Sequence, residues 1–240
     1  MPASNGARVG IAAAVLVGML IVGAAGYLFI YQPRLGQPAA STDAVALPSA
    51  SAAPPTGQVG GQWTVTAGSF AGYRVREQLA TRTAPCDAVG RTTGVTGGFT
   101  LTLNGDGSGS AANVKVQADL AQLQSDSRRR DGFVSRDTLE TDRYPNAVFT
   151  GGDPVTVPKA VIDGAEGTIT VAGQWEIHGQ VKPASIDLKV RRDGDKVDVV
   201  GSYGFTWGDF GVRKPQVQSA TVKGDPVIEF SLVLGHGATT

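Results

Sequence analysis

The sequence predicts an all-β domain of about eight antiparallel strands, set behind an apolar helix and a low-complexity linker. Three observations carry that prediction. From Trp63 onward apolar residues recur at every second position, the period of a strand with one face in a core and the other in water. Gly- and Asp-rich turns separate the alternating runs at the spacing that hairpins need. The pattern breaks only between about residues 119 and 143, where Ser and Asp stand at cap positions and Leu139 is isolated among polar residues, so a short helical insertion is expected there.

Taken in order, the first element is Val9 to Tyr31, about 23 residues without a charge. As a helix it covers about 34 Å, against a hydrocarbon core of about 30 Å. A cleaved signal peptide needs a shorter apolar region and a small-residue cleavage site, whereas this run ends GYLFIYQP. An uncleaved, single-pass transmembrane helix is therefore expected. Tyr27 and Tyr31 suit the membrane interface, and Arg8 with the terminal amine outweighs Arg34. The positive-inside rule then places the following domain on the extracytoplasmic side of the cell membrane. Gln32 to Gly61, built from Ala, Ser, Pro, Thr and Gly, buries too little to offset its ordering entropy and reads as a disordered linker.

The folded domain is expected over residues 62–235. Tyr73 and Val75 mark an early strand. Val95, Phe99, Leu101 and Leu103 fall on one face of the next clear one, with Thr96, Thr100 and Thr102 on the other. The turn NGDG, Asn104 to Gly107, leads to Val114, Val116 and Ala118. After the insertion come Val148 and Phe149, then Ile169, Val171, Trp175 and Ile177. The turn HGQVKP returns the chain to Ile186, Leu188 and Val190, and RDGD, Arg192 to Asp195, returns it to Val197, Val199, Tyr203, Phe205 and Trp207. Val227 to Leu234 closes the domain. Such strands form a sandwich or a closed barrel, and the pattern alone does not separate the two.

Composition excludes several functions. Only 18% of the 240 residues are charged and the net charge is zero, so no nucleic-acid partner is indicated. The single cysteine, Cys86, cannot form an internal disulfide, and in TRTAPCDAVG it reads as an inert loop thiol. Glu176 and His178 share a strand face but have no nucleophile nearby, which makes them a poor catalytic pair. His236 sits in the tail GHGATT, so a metal site would lack neighbouring ligands. NGDGSGS has no following Lys-Ser or Lys-Thr and reads as a hairpin turn rather than a phosphate loop. Arg128, Arg129 and Arg130 are the strongest polar feature. They could grip an anionic headgroup, or pair with Asp126, Asp131, Asp137, Glu140 and Asp142 to hold an irregular segment in shape; the near balance of charge favours the structural role.

The order of landmarks resembles the YceI-like family. VQADLAQLQSDSRRRDGFVSRDTLETDRYPNAVFTG is similar to its signature of Ser-Asp, Arg-Asp, a short helix and Tyr-Pro-x-x-x-Phe, with further matches in AVGRTTGVTGGFTLTL, GTITVAGQWEIHGQVKPASIDLKV, FTWGDFGV and VIEFSLVL. The resemblance implies an eight-stranded antiparallel lipocalin-like barrel whose lumen takes a long isoprenoid chain, such as a quinone tail or polyprenyl lipid. Each buried methylene contributes at most about 0.8 kcal/mol, so a five-carbon isoprene unit is worth roughly 3 to 4 kcal/mol before binding costs are subtracted. The expected lumen residues are Tyr73, Val75, Phe99, Leu101, Val114, Val116, Ile169, Val171, Ile186, Leu188, Phe205 and Phe230, with Arg128, Arg129, Arg130 and Asp131 as the headgroup or structural charge cluster. The expected partners are an isoprenoid or other long-chain lipid and, through the N-terminal helix, the membrane; no cofactor, metal or catalysis is expected. The alternative is an envelope stress or interaction module whose barrel is packed solid by Trp175, Tyr203 and Phe205.

Overall fold

The computed structural model of the protein describes residues 45–51 and 57–236. The apolar run 9–31 lies outside these, as does most of the expected linker; among the described residues no helix is long and apolar enough to cross a membrane. Thirteen strand segments make one antiparallel sheet: β1 (Gly61–Val65), β2 (Phe70–Leu79), β3 (Cys86–Thr92), β4 (Val95–Leu103), β5 (Gly109–Asp119), β6 (Asn146–Gly151), β7 (Val155–Val157), β8 (Gly167–Ile177), β9 (Gln180–Asp193), β10 (Lys196–Gly204), β11 (Gln216–Val217), β12 (Ala220–Val222) and β13 (Val227–His236).

The pairings reduce these segments to eight staves. β1 and β2 both pair with β13 on one edge, and on the other edge they pair with β4 and β3, so β1–β2 and β3–β4 are two long strands, each bent at its middle. From there every stave pairs with its successor in sequence, through β5, β6, β8, β9, β10 and β13, and β13 returns to β1. The result is a closed up-and-down barrel with no free edge along the ring, which removes the exposed backbone groups an open sheet would leave. This is the architecture that hairpin turns between alternating runs produce when each run finds its neighbours locally.

Closure requires the strands to coil, and β4 shows how. Gly97 has φ of +125°, and a Cβ there would stand 2.0 Å from the carbonyl oxygen of Lys115. The register with β5 shifts between Gly98 and Thr100. A glycine-supported bulge therefore bends this stave where only glycine allows the close approach.

The inward faces carry the expected apolar residues except Leu103, which is 47% exposed at the end of β4, and Trp63, Phe210 and Ile186 are the largest side chains removed from solvent. The helix α1 (Arg128–Phe133) and a π-helical turn, Val134–Thr138, occupy the predicted insertion. Ser127 Oγ accepts from Arg130 N at 3.3 Å and Asp119 accepts from Ala121 N at 2.9 Å, the cap chemistry the sequence carried. A second short helix, α2 (Lys159–Ile162), and the β11–β12 hairpin were not legible in the sequence. The hairpin lies against the far end of β2 and builds a small second core of Val75, Ala88 and Val222.

Three expectations are corrected. Cys86 is not in a loop: it opens β3 opposite Glu77, because pairing with β2 extends the strand past the apolar alternation. β10 ends at Gly204, so Phe205 and Trp207 follow the strand instead of lying on it; Phe205 N bonds Pro226 O at 3.2 Å, past the last pair of the β10–β13 ladder. Within the linker, residues 45–51 lie on the β9–β10 hairpin, where Ser51 N donates to Asp193 at 2.8 Å and Arg191 donates to the Pro48 carbonyl at 2.5 Å. Two charged groups at the hairpin tip hold a segment whose composition alone gives no reason to order.

Candidate functional site

The barrel is hollow. Its interior forms two chambers that meet at a waist made by Ala71 of β2, Ala118 of β5, Ala147 of β6 and Trp175 of β8, the four side chains that face both. Ala118 and Ala147 are directly paired neighbours. Small side chains on three staves, with the Trp175 indole as the fourth, make the boundary the two chambers share.

The deep chamber has a volume of about 140 Å³. Phe99, Leu101, Val114, Val116, Ile169, Val171, Ile186, Leu188 and Phe230 line it, joined by Phe149, Val197, Val199 and Leu232. Its floor is built from parts the alternation did not mark. Val161 and Ile162 of α2 cover it, and Trp63 seals the side, donating from Nε1 to the Val59 carbonyl at 2.9 Å and lying 4.6 Å from the His236 ring. Arg192 is the one charged residue on this wall, and its guanidinium donates to the Ile162 carbonyl at 3.3 Å and the Gly57 carbonyl at 3.4 Å. It ties the floor together and leaves the rest of the chamber apolar.

The outer chamber, about 380 Å³, lies beneath the insertion. Tyr73, Val75 and Phe205 line it, as do Phe133, Val134 and Leu139 from the roof and Val222 and Ile228 from the wall. Burial pushes the Tyr73 phenol well above its ordinary range. The roof is held by charge: Arg130 donates to Glu77 at 2.7 Å and pairs with Asp126, while Asp131 accepts from Ser125 N at 2.8 Å and Ser125 Oγ at 2.6 Å. Glu77 is buried on the inner face of β2, so Arg130 is the clamp between insertion and barrel. Arg128 is exposed and faces neither chamber, whereas Arg129 reaches the outer one.

The β8–β9 turn approaches the roof's far end. His178, in the β8–β9 turn, stands 3.4 Å from Glu140 and 3.3 Å from the Phe210 carbonyl, with Tyr144 packed on its ring at 4.4 Å. Glu140 adopts φ of +49°, a strained value for a residue with a side chain, directly after the π-helical turn.

All twelve residues expected at the lumen thus line one chamber or the other. Trp175 and Phe205 form walls instead of plugs, so the interior is not packed solid. Glu176 points outward and is exposed, and neither it nor His178 lines a chamber. His178 and His236 belong to opposite ends of the barrel, and no group of metal-ligating side chains assembles among the described residues. Two polar atoms missed by sequence reasoning stand out: Trp175 Nε1 at the waist and Thr138 Oγ1 under the roof are buried without a hydrogen-bond partner. Such atoms cost about 1 to 3 kcal/mol each.

A closed up-and-down barrel with an apolar two-chambered lumen and a helical roof defines a lipocalin-like architecture. The chain belongs to the YceI-like family, whose domain profile matches residues 63–234. A UPF0312 protein of Vibrio cholerae serotype O1 is 27% identical over 110 residues, 43% of this chain and 54% of the relative, so the chain spans about half the length of the curated relative it matches. The structure of a polyisoprenoid binding domain from Saccharophagus degradans, implicated in plant cell wall breakdown, superposes with a TM-score of 0.53 at 16% identity, covering 73% of this chain and 98% of that one. Burkholderia cenocepacia BcnA is similar at 18% identity, with a TM-score of 0.47 and coverage of 67% and 95%.

Proposed function

We propose that this protein is a membrane-tethered, extracytoplasmic binding protein that takes an isoprenoid or similar long-chain lipid into the barrel, with no catalytic step. The observation that carries the reading is the apolar lining of the deep chamber, whose one charged residue is turned to backbone carbonyls. A slender, branched hydrocarbon fits such a space because binding needs apolar area removed from water and little else. The name of the Saccharophagus degradans domain, which describes polyisoprenoid binding, supports the same class of ligand. The tether reading rests on the uncharged run from Val9 to Tyr31.

Two experiments test it. Full-length protein purified from its native host is extracted with organic solvent and the extract analysed by mass spectrometry; an isoprenoid-class lipid in stoichiometric amount is expected, and absence of any co-purifying lipid overturns the binding reading. For topology, Leu103, the exposed apolar residue that precedes the NGDG turn, is replaced by cysteine in a Cys86→Ser background. A membrane-impermeant maleimide is expected to label it in cells whose cytoplasmic membrane is intact. Labelling only after that membrane is broken would place the barrel on the other side.

A further inference from the structure

His178 is a nearly buried titratable group to which lipid binding gives no task. Its side chain is 13% exposed and faces neither chamber, yet it stands between two segments that line the outer one. On one side is the end of the roof, where Glu140 directly follows the lining residue Leu139. On the other is the loop after β10, where Phe210 lies between the lining residues Phe205 and Val212. The β8–β9 turn is seated on the roof's end, since a Cβ on Gly179 would stand 2.8 Å from the Tyr144 ring. His178 and Glu140 both take left-handed backbone conformations, φ of +51° and +49°, uncommon for residues with side chains.

The two ring nitrogens face two acceptors. Nδ1 stands 3.3 Å from the Phe210 carbonyl, which can only accept, so Nδ1 carries a proton. In the neutral ring Nε2 is then a bare lone pair. It is buried without a hydrogen-bond partner, 3.4 Å from the Glu140 carboxylate, which when ionised also only accepts. That contact holds nothing until a proton arrives. With Nε2 protonated the same two groups become a charge-assisted pair, and only imidazolium has a donor for each of the two oxygens. The other charged or titratable groups nearby are Asp142, Arg143 and Tyr144 from the roof's end, Asp209 and Arg213 from the loop, and Glu176 and Lys182 from the strands flanking the turn. Arg143 lies over the Tyr144 ring at 5.0 Å, Asp209 accepts from Thr206 N at 2.7 Å, and Glu140 is the group whose charge reaches a ring nitrogen among the described residues.

We propose that His178 is a pH-sensitive latch on the outer chamber: its protonated ring bridges the Phe210 carbonyl and the Glu140 carboxylate, holds roof and loop together, and retains lipid in mildly acid solution. Loss of the proton frees the roof's end and speeds release. The retained cargo rests on the lipid-binding reading; the latch itself does not. The direction follows from the charges, because carboxylates stay ionised in mild acid while imidazole gains its charge there.

Two measurements on full-length protein in mild detergent test it. The first needs no ligand. Hydrogen exchange of the amides of residues 134–139 is compared between wild type and Glu140→Gln at about pH 5.5 and about pH 8, on either side of the range where imidazole ordinarily changes charge. Both proteins share the intrinsic exchange rate of these amides at each pH, so their ratio isolates the latch. The variant is expected to exchange about threefold faster at the lower pH and equally at the higher. The second measurement follows release of preloaded geranylgeraniol into excess phosphatidylcholine vesicles, neither of which titrates in this range. Wild type is expected to release about threefold more slowly at the lower pH, a difference that shrinks at high salt. Glu140→Gln and His178→Asn release at the faster rate at both pH values. Asn is chosen because it tolerates the left-handed φ, and neither variant alters a chamber wall.

Equal exchange in wild type and Glu140→Gln at both pH values overturns the latch, whatever the ligand. Release from wild type that ignores pH overturns its role in retaining lipid. A pH dependence that persists in either variant belongs to another group and also ends the proposal. Failure of geranylgeraniol to bind at either pH overturns the lipid-binding reading and the release step with it, while the exchange ratio still decides the latch.

Discussion

The waist between the chambers makes the sharpest prediction. Ala147 is 8% exposed, pairs with Ala118 and faces both chambers, so Ala147→Leu adds three carbons at the boundary between them. The new atoms enter existing space, and the usual penalty for overpacking, about 1 to 3 kcal/mol, is largely avoided. For a ligand the consequence is large. Excluding even one isoprene unit from the deep chamber removes roughly 3 to 4 kcal/mol of burial, or about 150- to 900-fold in Kd. Full-length wild-type and variant proteins are compared by native mass spectrometry with geranylgeraniol and geraniol, whose chains differ by two isoprene units. The variant is expected to lose at least about thirtyfold on the long chain and almost nothing on the short one, at unchanged melting temperature. If both chains weaken equally, or the long chain is unaffected, the tail does not pass the waist and the deep chamber plays no part in binding.

Three further outcomes follow from the same geometry. Arg130→Ala strands the buried Glu77 carboxylate and is expected to cost about 2 to 3 kcal/mol by urea denaturation, below the usual cost of breaking a buried pair because Arg130 is partly exposed; most of this returns in Arg130→Met/Glu77→Leu, and a cost under about 0.5 kcal/mol would contradict the clamp. Asp87 is held below the ordinary carboxylate range by hydrogen bonds from Arg76 at 2.9 Å and Arg74 at 3.3 Å. Its folded pKa is depressed, so its contribution is present above about pH 4 and fades as pH falls through the folded value; Asp87→Asn should flatten the acid side of the melting-temperature profile, and an unchanged acid side would refute the assignment. Val171→Leu adds a methylene to the deep chamber and should stabilise the lipid-free protein by up to about 0.8 kcal/mol while weakening the long-chain ligand. A drop in lipid-free stability would mean that the space is not there to fill.

The staves were legible because each has one apolar and one polar face, and a period of two survives any uncertainty about partners. Val171 and Ile186, paired across β8 and β9, were placed correctly from alternation alone. That a barrel resulted rather than a sandwich was not legible in the alternation, since both bury the same faces, and came only from the resemblance to the YceI-like family; the decision lies in closure between β13 and β1, a contact between the two ends of the domain. Floor and waist escaped for related reasons. Val161 and Ile162 lie in a four-residue helix too short to show a period, and an inward alanine such as Ala118 looks in sequence like any small residue on a strand. Thr138 gave no signal, because whether a hydroxyl is satisfied depends on what faces it in space.

The hollow interior explains why charge is gathered in the insertion. At about 24 cal/mol per Å³, an empty 140 Å³ chamber costs about 3 kcal/mol of stability that a packed core would keep. Phe133, Val134 and Leu139 face the outer chamber from the roof without filling it, so apolar packing alone leaves the roof loosely held. Polar pairing holds the roof without filling the space. Arg130 crosses to Glu77 on the chamber wall, and Asp131 binds Ser125 within the insertion. Ion pairs are poor sources of net stability, yet they specify position, and position is what a roof over an open cavity requires.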